Sequence, residues 1–382
     1  MKTPIRQASL QLRLLAGLLA GLAASAARAE ALPTPIDVYV SGQDGYHAFR
    51  IPALEVAPDG SLVAVAEARK YTSADPGMGK QEIDLVCKRS TDDGATWSPM
   101  AVIEHAGPLW AAANPATLVD RDTGKLWVFY MRAKPACSTE SARPGTDDLA
   151  TLARWSADSG KTWSGPVDLT AAARDMNDKT WRSSTTGPGG ALQTRSGRLV
   201  VALWKMPFAD LAMYSDDHGL TWRRGQFAPG TQGGDECKII ELADGRLLFD
   251  MRQETGPTRW FADSSDGGAT WTHLRPGITV TPVACAIKRL TVGGRSWVLW
   301  TGPEGMSRKR LVIRTSGDEG LAFPHERLLT DGFAAYSDLV VLKDGSVGVM
   351  WERGVKKNYE FISFARLTPA WLASVLPGSA TP

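Results

Sequence analysis

The chain has 382 residues, 43% of them hydrophobic and 22% charged, with 43 Lys and Arg against 41 Asp and Glu. A near-neutral balance without a basic stripe excludes a nucleic-acid-binding module, and the sequence contains no heptad run, low-complexity tract or linker. The four cysteines, Cys87, Cys137, Cys237 and Cys285, show no metal-ligand spacing.

The N-terminus reads as a leader. Lys2, Arg6 and Arg13 flank an apolar run over residues 14–27, and Ala27-Arg28-Ala29 has the small-x-small pattern of a signal-peptidase site. The run is too short to span a bilayer comfortably, so residues 1–29 are expected to direct export to the periplasm or the outside, leaving no membrane anchor. Four of the 43 basic side chains and none of the 41 acidic ones lie in that stretch, which leaves 39 against 41 in the mature chain. In an oxidising compartment the four cysteines allow three pairings, among which the sequence does not choose.

From residue 30 onward the chain is repetitive. Residues 36–40 alternate as a strand, and six Gly-ended turn dipeptides follow: Asp59-Gly60, Thr123-Gly124, Ser196-Gly197, Asp244-Gly245, Gly293-Gly294 and Asp344-Gly345. Apolar, strand-like runs flank each of them. Between these hairpins falls a second repeat, S-x-D-x-G-x-T-W, at residues 90–97, 156–163, 215–222 and 264–271, with a worn copy at 316–323 that ends in Phe323. Its Asp can accept backbone N–H bonds, its Gly supplies unusual φ, and its Trp folds back over the turn. One hairpin and one box recur about every fifty to seventy residues, the length of a four-stranded antiparallel blade with its loops. The expectation is an all-β, six-bladed β-propeller over residues 30–382, a single domain. Residues 360–367 alternate again, so the N-terminal strand is expected to complete the last blade and cover its edge. Residues 371–376 read as a short terminal helix or tail.

Stretches that break the repeat carry the candidate chemistry. Arg50 stands in the apolar run Phe49-Arg50-Ile51-Pro52, where a guanidinium needs a buried carboxylate or an anionic ligand. Glu236 is followed sixteen residues later by Arg252. Arg308 falls in Ser307-Arg308-Lys309-Arg310, and Tyr336 in Ala335-Tyr336-Ser337-Asp338, with Glu352 beyond it.

With these residues in order, the sequence resembles the exo-α-sialidase (neuraminidase) family, whose F-R-I-P motif matches residues 49–52 and whose Asp boxes match the S-x-D-x-G-x-T-W copies. The resemblance covers residues 46–352. It implies an arginine triad of Arg50, Arg252 and Arg308 for the substrate carboxylate, with Arg310 and Arg314 as alternatives for the third. Three guanidinium groups give charge-assisted, partly bidentate recognition that Lys does not reproduce. It further implies Tyr336 as nucleophile with Glu236 as its base, since an anionic nucleophile would be repelled by the carboxylate on the anomeric carbon. Asp75 is the implied acid/base, with Asp84 as the competitor, Glu352 the carboxylate orienting Arg50, and Arg69 a further pocket residue. The implied activity is retaining hydrolysis of terminal sialic acids from sialylated glycans by a monomer. The alternatives are a deaminated sialic acid or Kdo glycosidase, a trans-sialidase, and a non-catalytic propeller binding acidic sugars. Neither metal nor cofactor is expected, because the Asp boxes lack the clustered carboxylates of a calcium loop.

Overall fold

The computed structural model describes residues 31–230 and 233–376. Contacts divide the chain into Met1–Leu32 and Pro33–Pro382, and the leader expected at 1–29 lies outside the described residues. In chain order the strands are β1 (Ile36–Val40), β2 (Ala48–Val56), β3 (Leu62–Arg69), β4 (Ile83–Ser90), β5 (Ala101–Glu104), β6 (Ala111–Asp120), β7 (Lys125–Ala133), β8 (Leu149–Ser156) and β9 (Val167–Asp168). There follow β10 (Ser183–Gln193), β11 (Leu199–Met206), β12 (Ala209–Ser215), β13 (Arg223–Arg224), β14 (Gly234–Glu241), β15 (Leu247–Gln253), β16 (Thr258–Ser264) and β17 (Arg275–Thr279). The last are β18 (Ala286–Val292), β19 (Arg295–Pro303), β20 (Lys309–Ser316), β21 (His325–Val341), β22 (Val347–Gly354) and β23 (Phe361–Leu367).

Antiparallel pairing groups these strands into successive four-strand meanders: β2–β5, β6–β9, β10–β13, β14–β17, then β18–β21, and finally β21–β23 with β1. The inner strands β2, β6, β10, β14, β18 and β21 each touch the next, and β21 touches β2, so they form a ring. This is the expected propeller arrangement, and each of the six Gly-ended dipeptides joins the first two strands of a meander. β3 (LVAVAEAR), the second strand of its meander, is buried at every position. The closing strand lies where expected, with Ile36 opposite Phe364. The 17-residue β21 serves two meanders, pairing β20 through its first half and β22 through its second.

Each S-x-D-x-G-x-T-W box forms the turn between the third and fourth strands of its meander. In the first, Ser90 Oγ donates to Asp92 Oδ1 at 2.7 Å, the Gly94 N–H donates to Ser90 Oγ at 2.8 Å, and the Thr96 N–H and hydroxyl donate to Asp92 at 2.9 and 2.5 Å. The turn is also a wedge against the preceding meander. Gly94 has φ +91°, and a Cβ there would lie 2.0 Å from the Phe364 ring, while one at Gly219 would lie 2.7 Å from Trp127. Trp97 packs edge-on against Phe364 with centroids 5.6 Å apart, and Trp222 against Phe129 at 5.3 Å.

All four cysteines are buried and free. Each belongs to a different apolar cluster, Cys87, Cys137, Cys237 and Cys285 packing with separate sets of neighbours, so none of the three pairings forms. The tail closes with a short helix (Pro369–Ala373), capped by Thr368 Oγ1, that buries Trp371 and Leu372.

Antiparallel connectivity fixes which end carries what. The Asp boxes and the Gly-ended hairpins share one end of the ring. The starts of the inner strands and the loops between second and third strands lie at the other. At this second end the pairing register slips in β2 between Arg50 and Ala53, in β6 between Ala113 and Ala116, in β14 between Gly234 and Cys237, and in β21 between Ala334 and Ser337. Such irregularities re-aim side chains out of the pleat. The slips fall at Arg50, Asn114, Glu236 and Tyr336, and Ile51 and Asn114 take left-handed φ of +57° and +54°.

Candidate active site

Tyr336 is the centre of the site. Its side chain is 6% exposed, and its ring lies 5.3 Å from the Arg50 guanidinium and 5.6 Å from that of Arg308. Arg252 Nη1 donates to the Tyr336 hydroxyl at 3.1 Å and to Glu236 Oε2 at 2.6 Å. Arg50, Arg252 and Arg308 thus converge, although they start from β2, the end of β15 and the loop before β20. Burial pushes the Tyr336 phenol well above its ordinary pKa and Glu236 pushes it further, while Arg252, Arg308 and Arg50 pull it back.

Each arginine is oriented. Glu352, fully buried on β22, accepts Arg50 Nε at 2.7 Å and Nη2 at 3.4 Å, and also the backbone N–H groups of Ile51 and Tyr336 at 3.0 and 3.3 Å. One carboxylate therefore fixes both Arg50 and the backbone of the tyrosine. Arg308 donates to the Tyr359 hydroxyl at 2.8 Å and to the Pro282 carbonyl at 3.1 Å. Arg252 also faces Asp235 at 3.1 Å and Glu254 at 3.2 Å. Burial raises the Asp235 carboxyl, with Glu236 adding to the shift and Arg252 opposing it.

Asp75 lies on the loop between β3 and β4, and its side chain is 65% exposed. It accepts from Arg69 Nη1 at 2.9 Å and lies 3.7 Å from Arg50 Nη1. Partial burial raises its pKa, but Arg69 and Arg50 outweigh that and hold the carboxyl below its usual range. Arg69 is itself gripped by the buried Glu67, whose Oε2 accepts Nε at 2.9 Å and Nη2 at 2.6 Å.

The competing assignments separate cleanly. Asp84 takes the Tyr46 hydroxyl and lies 2.7 Å from His105 Nδ1, away from the arginines. Arg310 pairs with Glu304 and Asp331, and Arg314 with Glu326. Asp120, Asp122 and His218 also gather, their ligand atoms within 4.8 Å of one another. Gln193 Nε2 donates to both carboxylates there, at 3.0 and 2.9 Å, so this group reads as a polar tie between meanders.

A cleft of about 220 Å³ opens over the site, lined by Asp75, Trp204, Phe208, Glu236, Arg252 and Tyr336. Ser138, Thr139 and Glu140 of the long loop 134–148 form part of its wall. A larger cavity of about 620 Å³ lies at the other mouth of the ring, around Leu54, Thr117, Gly189, Ile239 and Asp338, and shares none of these groups. The cleft is the better chemical site despite its size, because titratable groups converge there. Sequence reasoning missed Asp235, Glu67, Asn114, Trp204 and Tyr359. Asp235 adjoins Glu236 and was within reach, whereas the others share no motif and are united only by folding.

The BNR repeat-like domain family matches residues 60–349. A sialidase of Micromonospora viridifaciens is 32% identical over 372 residues, covering 91% of this chain and 55% of the relative. A sialidase of Bacteroides fragilis is 30% identical over 351 residues, covering 84% and 62%. The chain thus spans little more than half the length of these relatives. Among solved structures, the Hadza microbial sialidase Hz136 aligns with a TM-score of 0.79 at 26% identity, over 90% of this chain and 69% of the other.

Proposed function

Because this chain belongs to the BNR repeat-like domain family and is a homologue of sialidases, we propose that it is a retaining exo-α-sialidase, a glycoside hydrolase releasing terminal sialic acids through a covalent intermediate on Tyr336. The observation that carries this proposal is the bridge made by Arg252 Nη1, which donates to Glu236 and to the Tyr336 hydroxyl while two further arginines flank the same ring. Three convergent guanidinium groups, Arg50 buried and Arg252 and Arg308 half-buried, suit a carboxylate ligand. A lectin would need those arginines, but not a phenol and a carboxylate joined by one of them.

In this mechanism the substrate carboxylate engages Arg50, Arg252 and Arg308. As Arg252 turns to it, Glu236 becomes free to take the phenol proton, and the Tyr336 oxygen attacks the anomeric carbon. Sialidases depart here from the paired carboxylates of most glycosidases, using a tyrosine that an anionic sugar does not repel. Asp75 gives its proton to the leaving oxygen. The substrate's negative charge offsets Arg50 and Arg308, two of the groups that keep Asp75 ionised, and so favours its protonation. In the second step Asp75 takes a proton from water, water attacks the anomeric carbon, and the phenolate leaves with the proton held by Glu236. Two inversions give the α-anomer. Export to the periplasm or beyond, guided by the leader, and action as a monomer belong to the same proposal.

The test is hydrolysis of a sialoside followed by NMR of the first-formed product. Initial α-anomer is expected, and initial β-anomer would overturn double displacement. No turnover of a fluorogenic sialoside by the purified chain would overturn the activity itself.

A further inference from the structure

Arg50 and Arg308 share a neighbour that no catalytic step uses. The Tyr359 ring lies under Arg50 with the guanidinium carbon 4.0 Å from its centroid, closer than the Tyr336 ring at 5.3 Å. The hydroxyl of the same residue accepts Arg308 Nη1 at 2.8 Å. One side chain therefore touches two of the three arginines, through its face and through its oxygen. Tyr359 is half-buried in the turn between β22 and β23, and its backbone has a left-handed φ of +57°. Non-glycine residues rarely hold that conformation unless their surroundings fix it. Here Ser41 Oγ donates to the Tyr359 carbonyl at 2.7 Å, and the Phe333 ring meets the Tyr359 ring edge-on at 4.9 Å. Ser41 Oγ also accepts the Phe49 N–H at 3.2 Å, which ties the turn to the residue before Arg50.

We propose that Tyr359 is a positioning residue of the carboxylate pocket, holding Arg50 by a cation–π contact and Arg308 by a hydrogen bond at the spacing a single carboxylate needs. Glu352 sets the Nε side of Arg50, and Tyr359 limits how its plane can tilt. Among the described residues Arg308 hydrogen-bonds to the Tyr359 hydroxyl and the Pro282 carbonyl and to no carboxylate, so the phenol is one of its two anchors. A neutral phenol orients a guanidinium without neutralising it, which keeps the pocket's charge for the ligand.

This inference rests on the sialidase proposal, and the experiment separates the two. Tyr359→Phe keeps the ring and removes the oxygen, whereas Tyr359→Leu removes both contacts. Binding of free sialic acid and of its methyl ester is measured by calorimetry for wild type and both variants, with sialoside kinetics and Tm alongside. Tyr359→Phe is expected to weaken binding of the acid and raise KM about threefold to tenfold, with kcat within about twofold, and Tyr359→Leu to weaken it about tenfold or more. Weak binding of the neutral ester should not change. Variants that bind the acid as wild type does would overturn the positioning role, as would equal losses for acid and ester, which signal general loosening of the pocket. Wild type that binds no sialic acid would instead overturn the sialidase proposal, while a Tyr359-dependent acid affinity without turnover would remove catalysis and leave the positioning role standing.

Discussion

The two ends of the ring are built on opposite principles. At the box end, five turns repeat one hydrogen-bonding scheme, each closed on itself: Ser Oγ to Asp, Gly N–H to Ser, and the residue before the final aromatic to Asp. At the cleft end nothing repeats, the inner strands slip register, and three arginines crowd one tyrosine. Satisfied turns stabilise and have nothing left to offer a ligand. Convergent like charges oppose folding locally and persist because Glu352, Glu236 and Tyr359 hold them, which leaves a site ready for an anion.

The largest effect expected from breaking this division is at the tyrosine. Tyr336→Phe keeps ring packing but removes the oxygen proposed as nucleophile, so kcat should fall at least about a thousandfold while sialic acid still binds. Stopped assays together with calorimetry decide it, and full activity would remove Tyr336 as nucleophile. Next comes Asp75→Ala, expected to lower turnover of natural sialosides by about a hundredfold to ten-thousandfold and of activated aryl sialosides far less, because only the former need the proton. Equal losses on both substrates would point to a binding role for Asp75. Arg50→Lys should raise KM by roughly ten- to a hundredfold, since an ammonium cannot replace the guanidinium fork between Glu352 and the ligand.

At the other end the expectation reverses. Asp158 accepts Ser156 Oγ, both N–H groups of Lys161 and Thr162, and the Thr162 hydroxyl. Asp158→Ala should lower Tm by about 1–2 °C per kcal/mol lost while the folded fraction keeps its turnover. Reduced turnover at unchanged Tm would contradict the division. The smallest effect is on pH dependence. Hydrogen bonds from Thr96 and Thr221 hold Asp92 and Asp217 down to about 2. A depressed folded pKa contributes stability that is present above the unfolded value of about 4 and lost as pH falls toward 2. Melting curves from pH 5 to 2 should therefore decline less steeply for Asp217→Asn than for wild type.

Local signals in the sequence determined the scaffold. Gly-ended turns, the box with its forced glycine, and apolar runs of strand length each act within a few residues, so the meanders and even the closing strand at residues 36–40 were legible. Arg50, Glu236 and Tyr336 stood out because each interrupts a local pattern. Only the tertiary structure decided that Arg308, rather than Arg310 or Arg314, reaches the centre, since all three precede or lie in one strand and differ in which partners fold toward them. The tie of Glu352 to Arg50 across 302 positions was expected from the family resemblance, whereas that of Tyr359 to Arg308 across 51 came from the tertiary structure alone. The tertiary structure also scattered the four cysteines among separate clusters. The reason is that a ring brings together residues from every meander at its axis, and pairings across that axis leave no periodic trace in the chain.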